Sequence, residues 1–247
     1  MPQLLFLSLR DGAIGPNVAR AEHHDALQAS GLREVDMELR IIDSATAQVG
    51  PLDALDGVIV GGSALNITNV EYSDYQTHVH ALLGDLIRSG IPVFFVCFGL
   101  SWLVDHLGGR IGNDQPEASG PTTVTVTPAG YDDELLAGLP RHFTALTGHT
   151  ENPQVLPPEL TLLATGPDGL TQMVRYSDRV WATQFHAEMD AEAMRTRMDF
   201  FYDYGYFPAE DYARIVAELP EHDVSCANAL IRNFALYCER VSAGPAG

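Results

Sequence analysis

Short apolar runs alternate with helix-like repeats through the N-terminal part of the chain. Each run is only a few residues long and almost wholly apolar, which is typical of strands that are covered on both faces. The runs span residues 4–9, 38–42, 57–60 and 92–96. This order of strand, helix and strand predicts a parallel, doubly wound sheet.

The segment before the fourth run carries clear helix signals. Ser73 and Gln76 form a capping-box pattern, and apolar side chains then repeat on one helix face. Gly90 follows the last of them. Because glycine readily ends helices, the sequence predicts a helix between Ser73 and Gly90.

The middle of the chain has a different pattern. Thr and Val alternate over residues 122–127, and apolar runs follow at 143–146, 161–164, 172–176 and 180–185. Turns separate these runs closely, so antiparallel strands are expected beside the parallel ones. Helical patterns return from Ala191 and end near 227–241. We predict one α/β domain over residues 1–247, flavodoxin-like and mainly parallel, with added antiparallel strands and a helical part, about 190–241, packed on it.

Composition and charge exclude several classes of function. Hydrophobic residues make up 46% and charged residues 19% of the 247, as in soluble globular proteins. A formal net charge of −19 leaves no surplus of cations for nucleic acid or an anionic membrane, so neither is expected as a partner. Three cysteines without paired spacing argue against disulfides or a zinc site, and no metal is expected. The first apolar run is too short for a signal core, which favours the cytoplasm.

Cys97 lies where the fourth apolar run meets a helix pattern, with Gly99 two residues later. A strand that runs directly into a helix forces a tight turn, which exposes the central side chain above the sheet edge as in a nucleophile elbow. The helix N-terminus favours a thiolate there, and the N–H of Phe98 is free to bind an oxyanion. Alone, this pattern also fits a small buried cysteine.

A second segment supplies a base. An apolar strand ends in His186-Ala187-Glu188, and residues two apart on an extended chain point to one side. The carboxylate of Glu188 can therefore orient His186 towards a thiol, as in a cysteine triad. Alone, His-x-Glu is more often a surface ion pair.

Together the two segments resemble the class I glutamine amidotransferases, in which Cys, His and Glu follow in this order. The resemblance includes free-standing proteins similar to the glutaminase domain of GMP synthase and to γ-glutamyl peptide hydrolases. Residues 59–63 resemble the Gly-Gly loop of the family, and residues 147–151 resemble its glutamine-pocket segment. Residues 157–160 and 230–234 also fit.

The resemblance implies a site and a reaction. Cys97 attacks the side-chain amide of glutamine, with His186 as base and Glu188 as its orienting acid, and no cofactor is needed. The implied oxyanion hole is formed by Gly62 and Phe98. The implied substrate-binding residues are Gly61, Ser101, Thr147, Gly148 and His149. The ammonia acceptor is expected to be a separate synthetase subunit.

Two residues depart from the family's Gly-x-Cys-x-Gly-x-Gln elbow. Phe95 replaces the first glycine, where strand and helix come close together, and Ser101 replaces the glutamine beside the substrate. A shorter Ser101 leaves room for another γ-glutamyl amide or peptide, which is the alternative reaction. The alternative of another class is a non-catalytic binding or regulatory protein that retains the fold.

The aromatic-rich residues 200–207 are interpreted as packing over the sheet, with a roof over the site or contact with a partner as the alternatives.

Overall fold

The apolar runs become strands of one large mixed sheet. The computed structural model of the chain describes residues 1–202 and 207–244, and within them nine strands form this sheet and two more form a small antiparallel pair. The strands are β1 (Leu4–Ser8), β2 (Met37–Ile41), β3 (Gly57–Val60), β4 (Val93–Val96), β5 (Arg110–Gly112), β6 (Glu117–Val126), β7 (His142–His149), β8 (Asn152–Val155), β9 (Leu160–Thr165), β10 (Thr171–Tyr176) and β11 (Val180–Thr183). The main helices are α1 (Gly15–Ser30), α2 (Asp74–Arg88), α3 (Phe98–His106), α4 (Ala191–Phe200), α5 (Tyr212–Glu218) and α6 (Ser225–Ser242).

The sheet has a parallel half and an antiparallel half. Its order is β2-β1-β3-β4-β11-β10-β9-β6-β7. Strands β2, β1, β3, β4 and β11 are parallel, whereas each later pair is antiparallel. The predicted fold class is confirmed. The run at 180–185, expected among the antiparallel additions, also pairs in parallel with β4.

At one edge of this sheet, where the parallel strands end, residues from both halves of the sheet lie close together. The carboxyl ends of β1, β3, β4 and β11 meet there, as in other open α/β sheets. Because the antiparallel strands alternate in direction, β7 also ends at this edge, while β6 and β10 begin there. Segments far apart in sequence therefore contribute side chains to one place.

Successive residues of the central strands pack alternately into two separate apolar layers, one on each face of the sheet. Phe94 faces a cluster with Trp181 and Phe234, on the side of α1 and α6. Its neighbour Phe95 faces a second cluster with Trp102, on the side of α2 and α3. Each central strand is buried on both faces, which explains its nearly continuous apolar sequence.

Helix α2 agrees with its prediction except for half of its cap. Ser73 Oγ accepts from the Gln76 N–H at 3.1 Å. The Gln76 side chain instead donates to the carbonyl of Asn66 at 2.7 Å, in the loop before the helix. Gly90 follows the helix with φ of 76°, as the predicted stop requires.

The C-terminal part is helical, as expected, and α6 covers the predicted 227–241. Of the aromatic stretch 200–207, residues 203–206 lie outside the described residues. Among the helices of the described ranges, none is both long and apolar enough to cross a membrane.

Candidate active site

Cys97 occupies the turn between β4 and α3. Its backbone has φ of 52° and ψ of −98°, a left-handed conformation that L-residues rarely adopt. The surrounding strand and helix hold this strained conformation, which is characteristic of functional turns. The thiol is half-buried, so it is accessible from the sheet edge.

Phe95 fits this turn without a glycine at its own position. Its side chain is fully buried and packs against Trp102, with ring centroids 5.6 Å apart. The close approach of strand and helix falls instead on Gly99, where an added Cβ would lie 2.7 Å from the Cβ of Phe95. The close contact between strand and helix therefore requires glycine at position 99 rather than at position 95. The Phe95 side chain packs between β4 and α3.

His186 follows β11 and lies beside Cys97. Its Nδ1 is 2.7 Å from Glu188 Oε1, and its ring lines the same pocket as Cys97, whose thiol accepts from Gln184 Nε2 at 3.8 Å. Burial alone would lower the pKa of His186, but the charge of Glu188 and the hydrogen bonds to Cys97 and Glu188 outweigh it and raise the pKa to about 10.

Glu188 is the buried orienting group. Burial would raise its pKa, yet the charge and hydrogen bond of His186 keep the pKa below its ordinary value. An ionised carboxylate only accepts hydrogen bonds, so Nδ1 of His186 carries the proton of the shared bond. Nε2 is then the nitrogen that can exchange a proton at Cys97.

The predicted oxyanion donors border the nucleophile. A Cβ added to Gly62 would lie 3.1 Å from His186 Cε1 and 3.8 Å from Cys97 Cβ, so only glycine fits closely here. Phe98 is the first residue of α3, in the turn where backbone N–H groups have no helical partner. Both residues therefore lie beside the Cys97 side chain.

A pocket opens at this edge of the sheet and encloses about 770 Å³ of empty space, counting its mouth. The predicted residues that line it are Cys97, Phe98, Ser101, Gly148, His149 and His186. Gly61 and Thr147 lie behind the lining: Gly61 packs on the Phe6 ring, and Thr147 is 1% exposed.

A second His–Glu pair lies at the same pocket, and its histidine, His149, lines it. His149 Nε2 lies 2.7 Å from Glu117 Oε2. Thr122 and Gln172 also donate to Glu117, and although burial would raise its pKa, the bonds to His149 and to these two side chains lower it. The other ring nitrogen of His149, Nδ1, is buried and has no hydrogen-bond partner within the described part of the chain.

A buried cluster of charges lies near Glu188, and its two arginines, Arg10 and Arg197, line the pocket. Arg197 donates to Glu22 at 2.8 Å and to Asp25 at 3.3 Å, and Arg10 donates to the same Glu22 oxygen at 2.6 Å. The charge of Arg197 also lowers the pKa of Glu188. Burial raises the pKa of Asp25 to about 7, since the opposing effect of Arg197 is smaller.

Several of these residues were not predicted from sequence. Arg10 follows the first predicted strand, so its position at a parallel strand end was an available signal. Glu117 and Arg197 gave no local signal, because their partners are 32 and 175 residues away. Glu151 was predicted only as part of a motif, and its carboxylate accepts from the backbone N–H groups of Ile67 and Thr68. It thereby fastens the loop beside the pocket.

Phe201 and Phe207 of the aromatic stretch also line the pocket. In residues 1–202 and 207–244, no group of three or more His, Cys, Asp or Glu side chains is placed to hold a metal ion.

Known proteins are similar to this chain in sequence and in fold. One subunit of the glutamine-hydrolyzing GMP synthase of Thermoplasma acidophilum is 28% identical over 160 residues, which cover 64% of this chain and 76% of that protein. The crystal structure of a glutamine amidotransferase from Thermotoga maritima superposes with a TM-score of 0.76 at 17% identity, over 96% of this chain and 99% of that one. The latter likeness shows the fold alone.

A match to a protein-family model identifies the family of the chain. The model described as "Glutamine amidotransferase class-I" matches residues 24–202, which include Cys97, His186 and Glu188. The chain belongs to the class I glutamine amidotransferases.

Proposed function

We propose that the chain hydrolyses the side-chain amide of glutamine through a γ-glutamyl thioester on Cys97, which releases glutamate and ammonia. The observation that carries this proposal is the connected arrangement of the three groups. Cys97 stands in a strained turn, His186 lines the same pocket beside it, and Glu188 holds His186 at 2.7 Å.

The first half of the reaction forms the thioester. The Cys97 thiolate attacks the amide carbon, and the N–H groups of Gly62 and Phe98 stabilise the oxyanion that develops. Protonated His186 then donates its proton to the departing ammonia. The raised pKa of His186 suits this step, because the proton is already in place at neutral pH.

The second half releases glutamate. A water molecule gives its proton to the neutral His186 and attacks the thioester carbon, and the C–S bond breaks to restore the thiolate. Throughout, Glu188 keeps Nδ1 protonated, so that Nε2 alone exchanges the proton. Both halves use groups of the chain itself.

Polar groups along one side of the pocket suit the amino-acid part of the substrate. Ser101, Gly148 and His149 border the space beside Cys97, and buried His149 Nδ1 has no partner in the described residues. An unpartnered buried polar atom is costly unless a ligand satisfies it. Gly61 and Thr147 would not contact the substrate, and their role would be to shape the backbone next to the polar groups of the pocket.

A separate synthetase is the proposed consumer of the ammonia. The Thermoplasma relative is one subunit of a glutamine-hydrolyzing GMP synthase. This supports an acceptor enzyme on another chain.

The proposal is tested by the release of ammonia and glutamate from glutamine. We expect turnover by the wild type and about 10⁴-fold less by Cys97→Ala, because the covalent route is then lost. Cys226→Ala is the matched control, since Cys226 is half-buried in the first turn of α6 and should leave turnover unchanged.

A glutamine-like chloroketone completes the test. It should add once, at Cys97, as seen by intact mass. Absence of both turnover and adduct would reject the proposal and favour the non-catalytic alternative.

A further inference from the structure

A glutamine side chain lies against the sulfur of the nucleophile. Gln184 lines the pocket, and its Nε2 donates to Cys97 Sγ at 3.8 Å, a distance that the large radius of sulfur allows. Neither half of the proposed reaction uses this amide. Its contact is nevertheless with an atom whose charge changes in both halves.

Backbone hydrogen bonds hold this glutamine in place. The Gln184 N–H donates to the Gln172 carbonyl of β10 at 2.8 Å, and the Cys97 N–H donates to the Thr183 carbonyl of β11 at 2.8 Å. The turn that carries the nucleophile is therefore bonded to the residue directly before Gln184. Since Gln184 is 1% exposed, its amide is fixed beside the sulfur before any substrate binds.

The buried amide lowers the stability of the fold. Gln184 Oε1 has no hydrogen-bond partner among residues 1–202 and 207–244, and a buried carbonyl without a partner is unfavourable. An apolar side chain of similar length would fill the same space without this penalty. Packing alone therefore does not account for an amide at this position.

The charge of a thiolate does account for it. A thiolate has no proton and can only accept hydrogen bonds, so it suits the N–H side of the amide. A hydrogen bond to an ionised acceptor is also stronger than one to a neutral acceptor. The Gln184 amide therefore stabilises the sulfur most when the sulfur is charged and least when it is bound in a thioester.

We propose that Gln184 is a further catalytic residue, whose Nε2–H group stabilises the negative charge that returns to the Cys97 sulfur as the thioester breaks down. This inference rests on the proposed function, because it uses the same thioester. In that step water gives a proton to His186, its oxygen bonds to the thioester carbon, and the C–S bond breaks. The electron pair of that bond passes to the sulfur, and the γ-carboxyl group of the product ionises in solvent.

The test measures the breakdown of the thioester directly. During turnover of glutamine, samples are quenched in acid and the thioester is quantified by intact mass. The turnover rate divided by the concentration of thioester is the rate constant of deacylation. Because inactive protein forms no thioester, partial misfolding of a variant cancels in this quotient.

Gln184→Met removes the N–H donor but keeps the length of the side chain. Its deacylation constant should fall about tenfold, as expected for the loss of a hydrogen bond to a charged group. By contrast, kcat/KM, which reports the formation of the thioester, should change less than about threefold, because a less stabilised sulfur is less often ionised but more nucleophilic. A merely structural defect would lower both quantities.

Gln184→Glu separates charge from shape. Glutamate matches the shape of glutamine more closely than methionine does, but its carboxylate repels a thiolate, so the deacylation constant should fall at least about a hundredfold. If Gln184 only filled space, the glutamate variant would be the milder of the two. That order, or an unchanged deacylation constant in Gln184→Met, overturns the inference.

The outcomes also separate the two proposals. A wild-type thioester on Cys97 that breaks down equally fast in Gln184→Met overturns the role of Gln184 and leaves the glutaminase intact. Absence of a thioester on Cys97 in the wild type, with or without turnover, overturns both.

Discussion

Two histidines line one pocket, each held by a buried glutamate, yet only one of the two lies beside the nucleophile. His186 lies 2.7 Å from Glu188, and His149 lies 2.7 Å from Glu117. His186 also lies beside Cys97, and the interaction with Cys97 contributes to its raised pKa. Equal distances within the pairs therefore say little about chemistry, and the third contact distinguishes a base from a binding group.

The surroundings of the two carboxylates differ as well. Glu188 lies near the charges of Arg197 and Asp25, whereas Glu117 accepts from the neutral side chains of Thr122 and Gln172. Charges act over a longer range than hydrogen bonds, so the first pair is open to electrostatic control by charged residues that do not hydrogen-bond it. The second pair is fixed by local hydrogen bonds.

The largest difference between the pairs should appear when each histidine is removed. His186→Ala is expected to lower kcat for glutamine about 10⁴-fold, because the proton donor and acceptor is lost. His149→Ala should raise KM about tenfold and change kcat little, since it removes a contact to bound substrate. Steady-state ammonia release measures both. Similar losses of kcat in the two variants would contradict the assignment of roles.

The carboxylates give the next contrast. Glu188→Gln should reduce kcat about 10³-fold, because an amide can no longer fix the proton on Nδ1 of His186. Glu117→Gln is the matched isosteric change, and we expect only a rise in KM of about threefold. Circular dichroism would establish that both variants fold. A kcat effect of Glu117→Gln as large as that of Glu188→Gln would be inconsistent with this comparison.

The groups behind the carboxylates should differ in their effect on stability. Arg197→Met leaves Asp25 without its cation and Glu22 with Arg10 alone, so the free energy of unfolding should fall by about 3 kcal/mol. Gln172→Met removes one neutral donor from Glu117 and should cost about 1 kcal/mol. Urea unfolding measures both. Arg197→Lys should recover part of the loss, and a smaller loss for Arg197→Met than for Gln172→Met would refute the charged-cluster account.

The smallest effect concerns pH. Burial raises the pKa of Asp25 to about 7, so the folded protein binds its proton more tightly than the unfolded chain does. The resulting stability is present below the unfolded pKa of about 4 and is lost as pH rises through about 7. Asp25→Asn should therefore reduce the drop in Tm between about pH 5 and about pH 8 by several degrees.

The charges that face Asp25 are those of Arg197, Glu188, Glu22 and Asp190. The exposed loop variant Asp53→Asn serves as the control, and its Tm should follow the wild type across the pH range. If Asp25→Asn also followed the wild type, the buried acid would not titrate as described.

The parallel half of the fold was predictable because its signals are local. Each central strand is buried on both faces, and an unbroken apolar run records this directly. The place of β6 between β9 and β7 was not predictable, since pairing between distant strands leaves no periodic signal. Strand β8 was missed because Asn152–Val155 contains a proline and lacks an apolar pattern.

The same distinction holds for the site. His186 and Glu188 are two residues apart, and Cys97 follows directly after an apolar strand. Short sequence motifs were therefore enough to predict these three residues. Glu117 reaches His149 only because β6 begins at the edge where β7 ends. Arg197 depends on the docking of α4 against α1. Contacts that depend on strand order or on helix docking cannot be predicted from short motifs and are seen only in the structure.

The most direct test of the central claim is the intact mass of the chain after acid quenching during glutamine turnover. A thioester survives acid, so the proposed intermediate should add the mass of one γ-glutamyl group. Peptide mapping should place this group on Cys97, and Cys97→Ala should show no increase. Turnover of glutamine without any adduct, or with the adduct on another residue, would contradict Cys97 as the nucleophile.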